Sequence, residues 1–140
     1  MNDLLIAEDD EDIAAVLALM LQKTAMPISW VADGVAALET IVASPPAVLL
    51  TDIGMPGMGG WELIWAVRGH EHLAEIPIVV LTGYPWNVHT GAVEHGACAV
   101  LLKPCPGREL TDIVESLAAR GSHAHCPTST ICLDPSNFSV

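Results

Sequence analysis

Glu8, Asp9 and Asp52 each stand where an apolar run stops. Leu4-Leu5-Ile6-Ala7 breaks into Glu8-Asp9-Asp10-Glu11-Asp12, and Ala47-Val48-Leu49-Leu50-Thr51 breaks at Asp52. If the two runs end side by side, their carboxylates repel one another, and a bound cation is the simplest way to keep them ionised. Hard oxygen donors favour Mg2+ or Mn2+, and Mg2+ takes one or two carboxylates while keeping waters and phosphoryl oxygens. An Asp carboxylate is also a competent nucleophile toward a phosphoryl group, forming an aspartyl phosphate whose charge a metal and a nearby Lys offset. Two further apolar runs end at Thr82 and Lys103. That hydroxyl and that ammonium can contact phosphoryl oxygens. For Asp52 taken alone, capping of the next turn is the plainer alternative.

The elements that must position these residues are legible from periodicity. Leu4 to Ala7, Ile28 to Val31, Ala47 to Thr51, Ile76 to Leu81 and Cys98 to Leu102 read as five strands; the first, third, fourth and fifth are continuous enough to be buried on both faces. Ile13, Val16, Leu17, Met20 and Leu21 have helical spacing, with acids in the first turn that suit the macrodipole, and predict a helix over about residues 11–24. Pro27 blocks its continuation. After a turn at Asp33-Gly34, Val35, Leu38, Ile41 and Val42 mark a second helix, ended by Ser44-Pro45-Pro46. Leu63, Ile64 and Val67 mark a third, and Glu109, Leu110, Ile113, Val114 and Leu117 a last helix up to about Arg120. The stretch from Trp86 to His95, with Asn87, Thr90 and Gly91 inside it, predicts a short fourth helix. Between Asp52 and the third helix, Ile53 to Gly60 holds four glycines and a proline, so the backbone turns sharply there.

Five βα units imply an α/β fold: one doubly wound, five-stranded parallel sheet with helices on both faces. Right-handed crossovers bring every strand's carboxyl end to one edge, where ligands collect in such sheets. Glu8, Asp9, Asp52, Thr82 and Lys103 all fall at that edge.

At 140 residues, 51% of them hydrophobic and 16% charged, the chain suits one domain with one well-filled core. A net charge of -12, with five Lys and Arg in all, argues against direct nucleic-acid binding. The longest uncharged stretch, Ile76 to Val93, carries Pro77, Gly83, Pro85 and Gly91, which no lipid-spanning helix favours, and the first residues lack a signal-peptide pattern. A cytoplasmic location is expected. Cys98, Cys105, Cys126 and Cys132 read as free thiols in a chain this apolar, and His123, His125, Cys126 and Cys132 lack the paired spacing of a metal site. Trp30, Trp61, Trp65 and Trp86 are read as core or half-buried packing, with Trp65, off the Leu63–Val67 stripe, the one most open to solvent. His70, His72, His89 and His95 are placed on solvated surface. Beyond Arg120 the periodicity fails, so residues 1–120 form the folded domain and 121–140 an accessory or disordered tail.

These residues together resemble the CheY-like receiver domain of two-component response regulators. The resemblance rests on Leu4 to Ile13 with its acidic break, Thr51-Asp52-Ile53-Gly54-Met55-Pro56-Gly57-Met58-Gly59-Gly60, Leu81-Thr82-Gly83, Gly96-Ala97 and Lys103-Pro104, in that order. It implies sheet order 2-1-3-4-5, Asp52 as phosphoacceptor, and Mg2+ held by Glu8, Asp9, Asp52 and the backbone carbonyl of Gly54. It further implies Thr82 as the switch hydroxyl, Lys103 as the phosphate contact and a cis Lys103-Pro104 bond. The implied partners are a sensor histidine kinase or a histidine phosphotransfer protein upstream and an unknown protein target downstream, with the chain a monomer or weak dimer. It would be a signalling domain that catalyses only its own phosphorylation and dephosphorylation.

The chain departs from the pattern at Val100, where an aromatic switch residue is usual, and at Cys105, where Phe is common. Valine has one stiff χ angle and cannot swing as a ring does, so phosphorylation is expected to reorder Gly83 to His95 rather than the surroundings of Val100. The residues after Arg120 are too few for an output domain, which predicts a receiver standing alone. Two other classes share some of these features. A flavodoxin-like cofactor binder would need a glycine cradle after the first strand, where Glu8 to Asp12 stand instead. A degenerate receiver would act as a phosphorylation-independent interaction module.

Overall fold

The structure, a computed structural model, describes residues 3–82, 97–102 and 107–120. Five strands, β1 (Leu4–Ala7), β2 (Ile28–Val31), β3 (Val48–Thr51), β4 (Ile78–Thr82) and β5 (Ala99–Leu102), form one parallel sheet in the order β2-β1-β3-β4-β5. The helices are α1 (Glu11–Leu21), α2 (Gly34–Ala43), α3 (Gly60–Gly69) and α4 (Gly107–Arg120). The α/β architecture and strand order are those the sequence predicts. The segment from Trp86 to His95 lies outside the described residues.

Period-two alternation sorts the strand side chains between two cores. Leu5, Ala7, Leu49, Ile78 and Val80 meet Ala37 and Ile41 of α2 and Leu63, Ile64 and Val67 of α3 on one face. Leu4, Ile6, Val48, Leu50, Val79, Leu81 and Leu101 meet Leu17 and Leu21 of α1 and Leu110, Val114 and Leu117 of α4 on the other. Central strands covered on both faces must be apolar at every position, which is why β1 and β3 read as unbroken runs. β2 lies at the edge, pairs only with β1 and is only partly covered.

Two helices turn a different face inward from the one bulky residues suggest. In α1 the buried residues are Ala14, Leu17 and Leu21, while Ile13 and Val16 are exposed. In α2 they are Gly34, Ala37 and Ile41, while Val35 and Val42 are exposed. Small side chains at Ala14, Gly34 and Ala37 let those helices lie close against their neighbours, and the adjacent bulky stripes are left outside. Main-chain α-helix in α1 stops at Leu21, and Gln22–Thr24 continue as a 3-10 turn. Ala25, at φ 61, then leads toward Pro27. Trp30 sits on the edge strand with 43% of its surface exposed rather than in the core, and Trp65 is 67% exposed as expected. His72 is on the surface, whereas His70 is partly buried, its Nδ1 donating to the Ala66 carbonyl at 2.8 Å. Cys98 is buried and is not part of a disulfide. Among the described residues no helix is long and apolar enough to cross a membrane.

Candidate metal and phosphoacceptor site

Parallel pairing of β1 with β3 places Ala7 beside Thr51, so the residues that follow each strand share one edge. The Asp52 N–H donates to the Ala7 carbonyl at 3.0 Å, and the Glu8 N–H donates to the Val31 carbonyl at 3.0 Å. These bonds extend the ladder by one residue past each strand and fix where both side chains leave the backbone. One carboxylate oxygen from each of Glu8, Asp9 and Asp52 then lies within 4.8 Å of the other two. Glu8 is buried, Asp52 half-buried and Asp9 exposed, so the cluster opens to solvent on one side.

The other acids of the break do different work. Asp10 caps α1, its Oδ1 accepting from the N–H groups of Asp12 at 2.9 Å and Ile13 at 3.2 Å. Glu11 and Asp12 occupy the first turn, where negative charge suits the helix dipole. Asp33, predicted as a turn residue, is likewise an N-cap, accepting from the Ala36 N–H at 2.8 Å.

The loop after Asp52 is built to present the carboxylate. Asp52 Oδ1 accepts from the Ile53 N–H at 2.8 Å, which ties one oxygen to the loop. The Thr51 hydroxyl donates to the Asp52 carbonyl at 2.9 Å, and the Gly60 N–H closes the loop onto the Ile53 carbonyl at 2.8 Å. Gly57 adopts φ 75, a conformation that glycine reaches without strain. A Cβ on Gly34 would overlap the Met58 carbonyl oxygen, so α2 packs directly against this loop.

Among the remaining predicted site residues, Gly54 is an exposed loop residue following Asp52. Thr82 ends β4 at the same edge and is fully buried. Lys103 lies outside the described residues, as do the Lys103-Pro104 bond and Gly83 to Gly96. β5 closes at Leu102, directly before Lys103. Sequence reasoning missed Trp30, whose indole Nε1 donates to the Glu8 carbonyl at 2.8 Å, and no spacing rule would have found a contact 22 residues apart. It also missed the close approaches at Gly34 and Gly60, of which the glycine-rich loop gave only a partial sign.

The donor set fits a small divalent cation: three carboxylates, oxygen only, gathered at an open edge. Gathered without a counter-charge they would repel, which is the arrangement a hard cation relieves.

The comparisons with known proteins say which class of protein carries this sheet and its edge of acids. Residues 4–115 match the family described as response regulator receiver domain, and the chain belongs to that family. It is 30% identical over 122 residues to the sensory transduction protein RegX3 of Mycobacterium tuberculosis, covering 86% of this chain and 52% of that protein. It is 34% identical over 114 residues to the sensor histidine kinase TmoS of Ectopseudomonas mendocina, covering 81% of this chain and 12% of the kinase. A crystal structure described as a response regulator from Chloroflexus aurantiacus superposes with a TM-score of 0.80 at 34% identity, covering 85% of this chain and 98% of that one. The chain thus spans about half the length of RegX3, and a smaller part of the kinase.

Proposed function

We propose that the chain receives a phosphoryl group on Asp52 from a histidine kinase or a histidine phosphotransfer protein, and signals the change to a partner protein. The observation that carries this reading is the meeting of Glu8, Asp9 and Asp52 at the carboxyl edge of the sheet, with the Asp52 side chain half-buried and held by its own loop. In the transfer, an Asp52 oxygen attacks phosphorus, the phosphorus–nitrogen bond to the donor imidazole breaks, and that imidazole, already protonated on its other ring nitrogen, takes the electron pair of the broken bond and leaves neutral. A Mg2+ or Mn2+ ion held by Glu8, Asp9, Asp52 and the Gly54 carbonyl would supply positive charge to the phosphoryl oxygens. Asp52 Oδ1 accepts from the Ile53 N–H, which orients the carboxylate toward the open edge where the donor phosphoryl group would arrive. Thr82, at the end of β4, and Lys103, just after β5, are the residues we assign to the phosphoryl oxygens.

On this reading the chain is a signalling domain whose chemistry is limited to its own phosphorylation and dephosphorylation. It works in the cytoplasm as a monomer or weak dimer, without binding nucleic acid directly. Residues 1–120 form the receiver and 121–140 an accessory tail.

The test is incubation with a small phosphodonor, with and without Mg2+, followed by mass spectrometry of the intact protein. One added phosphoryl group is expected, only with the cation, and none in Asp52→Asn. Equal labelling of Asp52→Asn would move the site elsewhere, and no labelling under any condition would favour a phosphorylation-independent interaction module.

A further inference from the structure

Glu8 is the most buried of the three clustered acids and stands one residue past β1, where the main-chain ladder holds its N–H but supplies no donor for its carbonyl. Both of its backbone groups are nonetheless held from the same side. Its N–H donates to the Val31 carbonyl at 3.0 Å, and its carbonyl accepts from the Trp30 indole Nε1 at 2.8 Å. β2 ends at Val31 and the chain leaves the sheet to cap α2 at Asp33, so a side chain supplies this donor just where the strand stops. With 43% of its surface exposed on an edge strand, Trp30 places much of its ring outside the core. Phe would have a similar apolar ring at that edge, but only an indole of this size combines the ring with a rigid N–H donor.

From this geometry we infer that Trp30 is a positioning residue for the cation site: its indole fixes the Glu8–Asp9 peptide unit and thereby the directions in which the Glu8 and Asp9 carboxylates enter the acid cluster. A carboxylate is joined to its backbone by three rotatable bonds, and burial removes most of their freedom. Turning the Glu8–Asp9 peptide unit would then carry the Glu8 and Asp9 carboxylates out of register with each other and with Asp52, and weaken cation binding without touching the nucleophile. The inference rests on the proposed cation site.

The experiment compares the full-length wild type with two variants: Trp30→Phe, and a chain carrying 3-benzothienylalanine at position 30, which keeps the bicyclic shape but has no N–H. Mn2+ affinity is measured by calorimetry, and the phosphorylation rate with a small phosphodonor is followed against Mg2+ concentration. Both variants are expected to bind Mn2+ about three- to tenfold more weakly, the range that one neutral hydrogen bond carries. The Mg2+ concentration for half-maximal rate should rise by the same factor, while the rate at saturating Mg2+ stays at the wild-type value. A merely structural role would lower the saturated rate or the folded fraction instead. Wild-type affinity in the benzothienyl variant overturns the inference even if Trp30→Phe fails to fold. Absence of Mn2+ binding by the wild type overturns the cation site itself, and the inference with it.

Discussion

The first turn of α3 rests directly on the backbone of Asp52, because a Cβ at Gly60 would overlap the Asp52 carbonyl oxygen and lie 2.9 Å from the Ile53 Cα. Both neighbours are main chain and cannot swing aside, so Gly60→Ala must push α3 away from the end of β3. The expected cost is about 1–3 kcal/mol of stability, as for overpacking elsewhere. Phosphorylation should slow as well, since the displaced atoms carry the Asp52 side chain. Gly54→Ala is the contrasting change: nothing lies within 4 Å of its added Cβ, and stability should stay within about 0.5 kcal/mol of wild type. Urea unfolding of the two variants checks both statements, and equal stabilities would show that the contact at Gly60 relaxes freely.

Glu8 is 1% exposed and shares its site with two other carboxylates. A cation that binds only the folded chain adds about 2.7 kcal/mol at a hundredfold excess over its Kd. Glu8→Gln keeps the shape and removes one negative charge. The variant should therefore gain much less stability from Mg2+ than wild type does. Thermal unfolding with and without Mg2+ reads the difference. A full Mg2+ response in Glu8→Gln would remove Glu8 from the ligand set.

How far the sequence reveals this molecule depends on which physical rule each residue obeys. β1, β3 and β4 are legible because central parallel strands bury both faces and so exclude polar residues, and β5, at the other edge, because its run is equally apolar. Glu8, Asp9, Asp52 and Thr82 were legible as edge residues because topology alone sends every strand's end to the same side. The inward faces of α1 and α2 were not, because bulk dominates a periodicity argument, whereas Ala14, Gly34 and Ala37 are chosen for closeness of approach. The Trp30–Glu8 bond was invisible for another reason: it depends on how far an indole reaches across two strands, which pattern does not encode. Asp10 and Asp33 were seen as an acid and a turn residue, but their helix-capping bonds depend on backbone geometry at the cap.

Arg68 closes the far end of α3. Its Nη1 donates to the Ala74 carbonyl at 3.0 Å and to the Ile76 carbonyl at 2.6 Å, tying the helix to the chain that enters β4. Burial pushes its pKa below the ordinary value, while nearby Cys98 acts in the opposite sense. A lowered pKa in the folded state means that the unfolded chain holds this proton more tightly, so any stability gained by losing it appears only at pH near the arginine pKa. Arginine remains protonated far above neutrality, so no slope arises at ordinary pH. Arg68→Met should cost about 1.5–3 kcal/mol, the scale of hydrogen bonds from a charged donor. The loss should be constant between about pH 5 and pH 9. Denaturation across that range checks it, and a cost that disappears toward either end would show that another titrating group controls the contact.

The last helix sets where the folded unit can be cut. Leu110, Val114 and Leu117 of α4 are buried in the core they share with Leu17 and Leu21 of α1, so α4 and α1 together cover that face of the sheet. The family match ends at residue 115, within this helix, and α4 itself runs to Arg120. A chain ending at Arg120 keeps every one of those apolar contacts and all three clustered acids. Its stability should lie within about 0.5 kcal/mol of the full chain, and its Mg2+ response should be unchanged. A chain ending at Thr111 loses Val114 and Leu117, at about 2–5 kcal/mol for each large buried side chain removed, and should not fold. Thermal unfolding of the two truncations decides the matter. A drop of several kcal/mol on removing residues 121–140 alone would show that they pack on the receiver, and would move the domain boundary past Arg120.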